Sequence, residues 1–181
     1  MQGFDFDVAV AVDDEDDLTR GPDGDRAGVA GRASNLTGLI EEVAVVETPE
    51  EARRALGILM ANKGEPDRPI YHAIDTEVSH IDVADQTPVG HGRVTCFSVY
   101  CGPDVNFSST PGTGKPKTLL WVDTMKLGDE GWDIFRPYFE SPEVFKAWHN
   151  YSFDRHVIEN HGVKLAGFAA DTMHMARLWD A

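Results

Sequence analysis

Two carboxylates, Asp75 and Glu77, close the stretch Pro69-Ile70-Tyr71-His72-Ala73-Ile74-Asp75-Thr76-Glu77. The apolar character of its middle predicts a short strand that delivers both acids at its C-terminal end. Residues two apart on a strand point to one face, so the two side chains converge. Like charges held side by side repel unless something positive sits between them. A hard divalent cation such as Mg2+, which prefers oxygen ligands, suits that place. Asp-x-Glu is a common triplet, however, and on its own it reads more readily as a strand end with two solvated acids. The question is whether the rest of the chain adds ligands.

A second group of candidates lies in Trp148-His149-Asn150-Tyr151-Ser152-Phe153-Asp154. Val144 to His149 has strand character. Ser152 or Asn150 can cap a following helix that turns Phe153, Val157 and Ile158 inward and stops at His161-Gly162. Asp154 then falls in the first helical turn, where the helix dipole alone favours an acid. Ligands of α/β proteins gather beyond the strand ends. If this strand runs beside the Asp75 strand, Asp154 faces the same crevice. Gly112-Thr113-Gly114-Lys115 hints at a phosphate loop, but Ser109 stands where the first Gly is needed and Pro116 replaces the Mg-binding Ser or Thr. The phosphate-loop reading therefore fails, and the stretch is a hairpin connection. Cys96 and Cys101, five apart on one strand, face opposite ways and lack metal-type spacing.

The elements that must position these acids follow from local signals. Val43–Val46 is a strand candidate. Thr48-Pro49-Glu50-Glu51 is a capping box with Pro in the first helical position, and Ala52, Ala55, Leu56, Leu59 and Met60 continue at helical spacing to Lys63-Gly64. Val94–Tyr100 and Thr118–Asp123 are a second and third strand, rich in β-branched and aromatic residues. Trp132, Phe135 and Phe139 mark one face of a helix from near Asp129. A short extended piece, Val163–Leu165, leads to a last helix from about Asp171. Three strands in a meander, then helix, strand and helix, predict a mixed α/β sheet with helices on its faces.

The net charge of −15 would oppose a nucleic-acid partner if it were spread evenly. It is not. Residues 1–51 hold 14 acids and 3 bases, or −11, and residues 52–181 hold 17 acids and 13 bases, or −4. Several of the latter acids are the candidate metal ligands. The Asp13-Asp14-Glu15-Asp16-Asp17 run and its Gly-rich surroundings predict a disordered acidic tail over 1–41. No apolar run approaches bilayer length, so no membrane partner is expected. The acidic start resembles neither a secretory signal nor a transit peptide, and no targeting segment is expected within this stretch.

Taken together, Ile74-Asp75-Thr76-Glu77, then His149-Asn150-Tyr151-Ser152-Phe153-Asp154, then Asp171-Thr172-Met173 resemble the 3′–5′ exonuclease domain of family A DNA polymerases, with wording nearest the plant organellar members. The resemblance covers about 42–181. It implies a ribonuclease-H-like fold and a site of four acids and two divalent ions, Mg2+ or Mn2+, that releases nucleoside monophosphates from a single-stranded or frayed 3′ DNA end. It also implies a polymerase domain in the full-length protein and residence in a plastid or mitochondrion. Residue by residue, Asp75 matches the acid bridging both metals, Glu77 a second ligand of one, and Asp154 the ligand of the other. Thr76 and Asn150 match positions lining the terminal nucleotide, and Tyr151 and Phe153 are candidates for base stacking, with Phe153 the better fit to the core. One feature departs. The family's fourth acid follows a Tyr by four residues or a His by five, and nothing after Asp154 fits. Asp171 resembles a helix-starting Asp that is not a ligand. The expectation is thus a C-terminally truncated exonuclease domain. Its alternatives are a catalytically incomplete nucleic-acid-binding fragment and an RNA-trimming exonuclease of the same superfamily.

Overall fold

A computed structural model describes residues 41–109, 112 and 114–179. The expected tail over 1–41 lies, Glu41 apart, outside the described residues, as do three positions of the hairpin connection. The elements in order are β1 (Val43–Val46), α1 (Pro49–Ala61), β2 (Gly64–Glu65), β3 (Arg68–Pro69), β4 (Tyr71–Ser79), β5 (Arg93–Tyr100), β6 (Leu119–Asp123), α2 (Thr124–Phe139), β7 (Phe145–Trp148), α3 (Tyr151–Glu159), β8 (Phe168–Asp171) and α4 (Thr172–Trp179). Six strands form one sheet in the order β1-β6-β5-β4-β7-β8, and β2 and β3 form a small hairpin. The expected meander is β4-β5-β6, antiparallel throughout. β1 joins β6, β7 joins β4 and β8 joins β7, all in parallel.

Parallel pairing of β7 with β4 matters most for the acids. Tyr71 lies opposite Phe145, His72 opposite Lys146 and Ala73 opposite Ala147. β7 therefore stops at Trp148 while β4 runs on to Ser79, so Asn150 and the start of α3 flank the half of β4 that carries Asp75, Thr76 and Glu77. β5 continues past Glu77 only by way of a register shift between Glu77 and Val78, a bulge of the kind that re-aims side chains at the rim of a sheet.

One face of the sheet is closed by helices. Phe97 on β5 meets Phe135 at 5.1 Å and Phe139 at 5.2 Å, both edge-on, and all three rings are buried. Cutting any one of them to Ala costs about 3–5 kcal/mol by the usual cavity penalty. α1 begins as expected: the Thr48 hydroxyl accepts from the Glu51 amide, and the Glu51 carboxylate accepts from the Thr48 amide at 3.1 Å. Its apolar stripe, Ala52, Ala55 and Leu59, is buried.

Three elements differ from expectation. α2 starts at Thr124 because the Asp123 carboxylate caps it by accepting from the Lys126 amide at 2.9 Å. It is broken at Gly128 (φ 60°, ψ −148°), so a fresh helical segment does begin near Asp129, with Trp132, Phe135 and Phe139 inward. After the extended piece Val163–Leu165 the chain adds an unexpected strand, Phe168–Asp171. Gly167 sets it there: with φ +71° and a Cβ that would lie 2.1 Å from the Val144 carbonyl oxygen, only glycine fits. Its own carbonyl accepts from the Lys146 amide at 2.8 Å. The buried Lys146 ammonium tightens the same joint, donating to the carbonyls of Ser141, Val144 and Ala166 at 3.0–3.1 Å. The β2–β3 hairpin had no sequence signal beyond its glycine. Both cysteines are free and buried. Among the described residues no helix is long and apolar enough to cross a membrane.

Candidate active site

Along β4 exposure alternates: His72 and Ile74 are buried, while Tyr71, Ala73 and Glu77 are exposed and Asp75 is half-buried. Asp75 and Glu77 thus share the uncovered side, as their spacing required. Glu77 sits opposite Cys96 of β5, and its carbonyl accepts from the Thr95 hydroxyl at 3.1 Å. Thr76 points to the helical side. There its hydroxyl donates to Asp154 Oδ1 at 2.6 Å, tying the end of β4 to the first turn of α3. The resemblance gave Thr76 only a place lining the terminal nucleotide; its hydroxyl contact links positions 78 residues apart and has no local signature.

Asp154 is the unusual member. It is only 4% exposed, and burial, reinforced by the Asp75 charge and opposed by the Thr76 hydrogen bond, pushes its pKa up to about 7. Burial likewise raises Asp75, with partial relief from the Thr76 backbone and from His149. Among the described residues no Lys or Arg forms an ion pair with Asp75 or Asp154. Two hard carboxylates with raised pKa values beside one another, with no Lys or Arg paired to either, are a donor set a divalent cation fits. Still, no three His, Cys, Asp or Glu side chains among the described residues gather into a preformed metal cage.

The α3 entrance is built differently from expectation. Asn150 does occupy the position before the helix, but in the left-handed region (φ 64°, ψ 51°) and with no capping bond from its side chain. Asp171, at the end of β8, takes that role instead: its carboxylate accepts from the amides of Asn150 at 3.1 Å and Tyr151 at 2.9 Å. Tyr151 is half-buried, its ring 4.5 Å from Phe168 and 5.9 Å from Trp148. Phe153 is half-buried against the core. His149 bonds through Nδ1 to the Thr172 hydroxyl at 2.9 Å, and that hydroxyl donates to the Trp148 carbonyl at 3.2 Å. The structure therefore gathers Asp75, Thr76 and Asp154 directly. Asn150 and Tyr151 stand at the neighbouring strand end.

A mixed sheet with acids at the shared end of an antiparallel and a parallel strand, backed by helices, is the architecture of ribonuclease-H-like exonucleases. The solved complex of Trypanosoma brucei RNase D with RNA U12 superposes with a TM-score of 0.54 over 76% of this chain and 41% of that one, at 16% identity, a likeness of fold. Residues 43–181 match the family described as 3′-5′ exonuclease, and the chain belongs to that family. Among named relatives, the chloroplastic/mitochondrial DNA polymerase I B of Arabidopsis thaliana is 47% identical over 82% of this chain and 13% of its own length. The mitochondrial DNA polymerase I B of Oryza sativa subsp. japonica is 46% identical over 87% of this chain and 15% of its own. The chain thus spans about one seventh of the length of these relatives.

Proposed function

We propose that this chain is the proofreading exonuclease domain, over residues 42–181, of a plastid or mitochondrial DNA polymerase, and that it removes the terminal nucleotide from a single-stranded or frayed 3′ DNA end. The observation that carries this is the Thr76–Asp154 hydrogen bond. It sets a buried carboxylate from α3 against the strand end that carries Asp75 and Glu77. The identity with organellar DNA polymerases supports DNA as substrate and a polymerase domain as partner within the full-length protein.

Asp75, Glu77 and Asp154 would hold Mg2+ or Mn2+, two ions in the complete four-acid site. When bound, such a pair supplies a hydroxide nucleophile and stabilises the attacking and leaving oxygens of an in-line displacement. The chain's own residues do the positioning. Thr76 fixes one oxygen of Asp154 and so its rotamer. Asn150, at the strand end, would meet the terminal sugar or base with its carboxamide, and Tyr151 and Phe153 border the same end. With no preformed three-ligand cage, water and the substrate phosphate would complete the coordination. Nothing in the sequence after Asp154 has the companions of the fourth acid. That favours slow turnover by this stretch alone, and it is the observation behind the second reading, a nucleic-acid-binding module that hydrolyses little.

The test offers 5′-labelled single-stranded DNA and the same sequence as RNA, with Mg2+ or Mn2+. The expected result is stepwise shortening from the 3′ end of the DNA, with nucleoside monophosphate as product. Shortening of RNA alone would replace the substrate with RNA. Internal cuts, or loss from the 5′ end, would overturn the proposal. Retention of DNA without shortening would leave the binding-module reading.

A further inference from the structure

Asp171 does more than start a helix. Its side chain is buried at the last position of β8, where it pairs in register with Trp148, two residues ahead of Asn150. Its two oxygens take four backbone donors. Oδ1 accepts from Asn150 at 3.1 Å, Met173 at 3.0 Å and His174 at 3.3 Å, and Oδ2 accepts from Tyr151 at 2.9 Å. The bonds to Met173 and His174 are the ordinary capping of α4 by the residue before it. Those to Asn150 and Tyr151 cross to another element, and they satisfy the first amides of α3, which have no partner within their own helix. One carboxylate thus caps two helices and fastens them together.

What it fastens is the turn on which the site depends. Asn150 sits at φ 64°, in the left-handed region that asparagine tolerates better than most residues with a Cβ but that still lies above the helical and extended wells. Its side chain does nothing to hold that turn. The Asn150 carbonyl then receives the Phe153 amide at 2.9 Å, and one residue later Asp154 reaches Thr76. We propose that Asp171 is a positioning residue for the exonuclease site, holding the Asn150 turn in its left-handed form so that Asn150 and Asp154 stand at the end of β4. Burial pushes the Asp171 pKa up, but the amides of Asn150, Tyr151 and His174 outweigh it and keep it below the ordinary range, so the group is a carboxylate throughout the neutral range. The inference rests on the exonuclease reading for what is positioned, and on geometry alone for how.

Asp171→Ser separates the two roles. A serine hydroxyl still caps α4 but is too short to reach the amides of Asn150 and Tyr151. The measurement is amide hydrogen exchange by NMR on the whole chain, with single-turnover digestion of a DNA oligonucleotide beside it. Thr48→Ala, which removes the cap of the distant α1, serves as a control of generally lowered stability. The expected result for Asp171→Ser is at least tenfold faster exchange at Asn150 and Tyr151, retained protection at His174, and at least tenfold slower digestion at saturating DNA. It also needs a higher Mg2+ concentration for half-maximal rate. Thr48→Ala should change none of these. If Asp171→Ser does not fold, Asp171→Asn, which places an amide donor against at least one of the four N–H groups, is read in the same way. Unchanged exchange at Asn150 and Tyr151, or equal slowing of digestion by Thr48→Ala, would overturn the inference. If the unaltered chain digests nothing, the exonuclease reading fails while the exchange result still decides the positioning.

Discussion

Asp154 is a residue placed at a cost to the fold. Its carboxyl is buried beside a second acid, and the Thr76 hydroxyl with nearby backbone amides offsets that burial only in part; an incompletely compensated buried charge destabilises. Asp154→Asn should therefore raise the stability of the metal-free protein at pH 7.5 by about 2–4 kcal/mol, the scale of a pKa displaced by about three units, as read by urea melts in chelator. A lower stability would contradict the account. Addition of Mg2+ or Mn2+ should raise the melting temperature of the unaltered chain, because a ligand of the native state alone stabilises it, and should do little for Asp154→Asn. The sequence made Asp75 and Glu77 legible, since a strand's period of two fixes their common side without further information. Asp154 was legible only by resemblance and strand order. Thr76 and Asp171 were not legible as partners, because their contacts span 78 and about 20 residues and no local pattern encodes the meeting of two strand ends.

Among the elements, β8 shows why boundaries are harder to read than types. Its hydrophobic content, Phe168-Ala169-Ala170, is weak, and what fixes it is the close approach of Gly167 to Val144 together with three carbonyls converging on Lys146. Gly167→Ala should lower stability by at least about 2 kcal/mol, given the left-handed backbone and the backbone clash, and should loosen the Asn150 amide as Asp171 moves. Full stability in this variant would mean that β8 is not held there. The joint between β5 and α3 carries a pH dependence. His161 Nε2 accepts from the Val94 amide at 3.1 Å, and its ring stacks on Trp132 at 4.3 Å. Burial, with Arg93 adding to it, lowers its pKa. The unfolded state then binds more protons as pH falls through about 6.5, so this group's contribution is complete above that value and is lost below it. His161→Gln keeps an acceptor for Val94 and loses the titration. The loss of stability between pH 7.5 and 5.5 should be smaller in that variant; equal losses would contradict the assignment.

For the whole molecule, the alternation of strand and helix signals carried the class of fold, and the meander followed from three adjacent β-rich runs separated by turns. The edge positions of β1 and β8 did not follow, since parallel pairing across a crossover leaves no mark on either segment alone. Charge acts at this scale too. Residues 1–40 hold nine acids and three bases, so their removal takes the net charge from −15 to −9. That deletion should tighten binding of a DNA end several-fold at low salt and change little at high salt, as expected of screened repulsion. An effect independent of salt would argue for a specific role of that segment. The central claim is that the carboxylates at the end of β4 and the start of α3 form one centre that hydrolyses a 3′ end. Single-turnover digestion of a 3′-mismatched, 5′-labelled primer tests it most directly, with the unaltered chain compared against Asp75→Ala combined with Glu77→Ala. Metal-dependent shortening by the unaltered chain, lost in the double variant, is the predicted result; shortening that survives the double substitution would place the chemistry elsewhere and contradict the account.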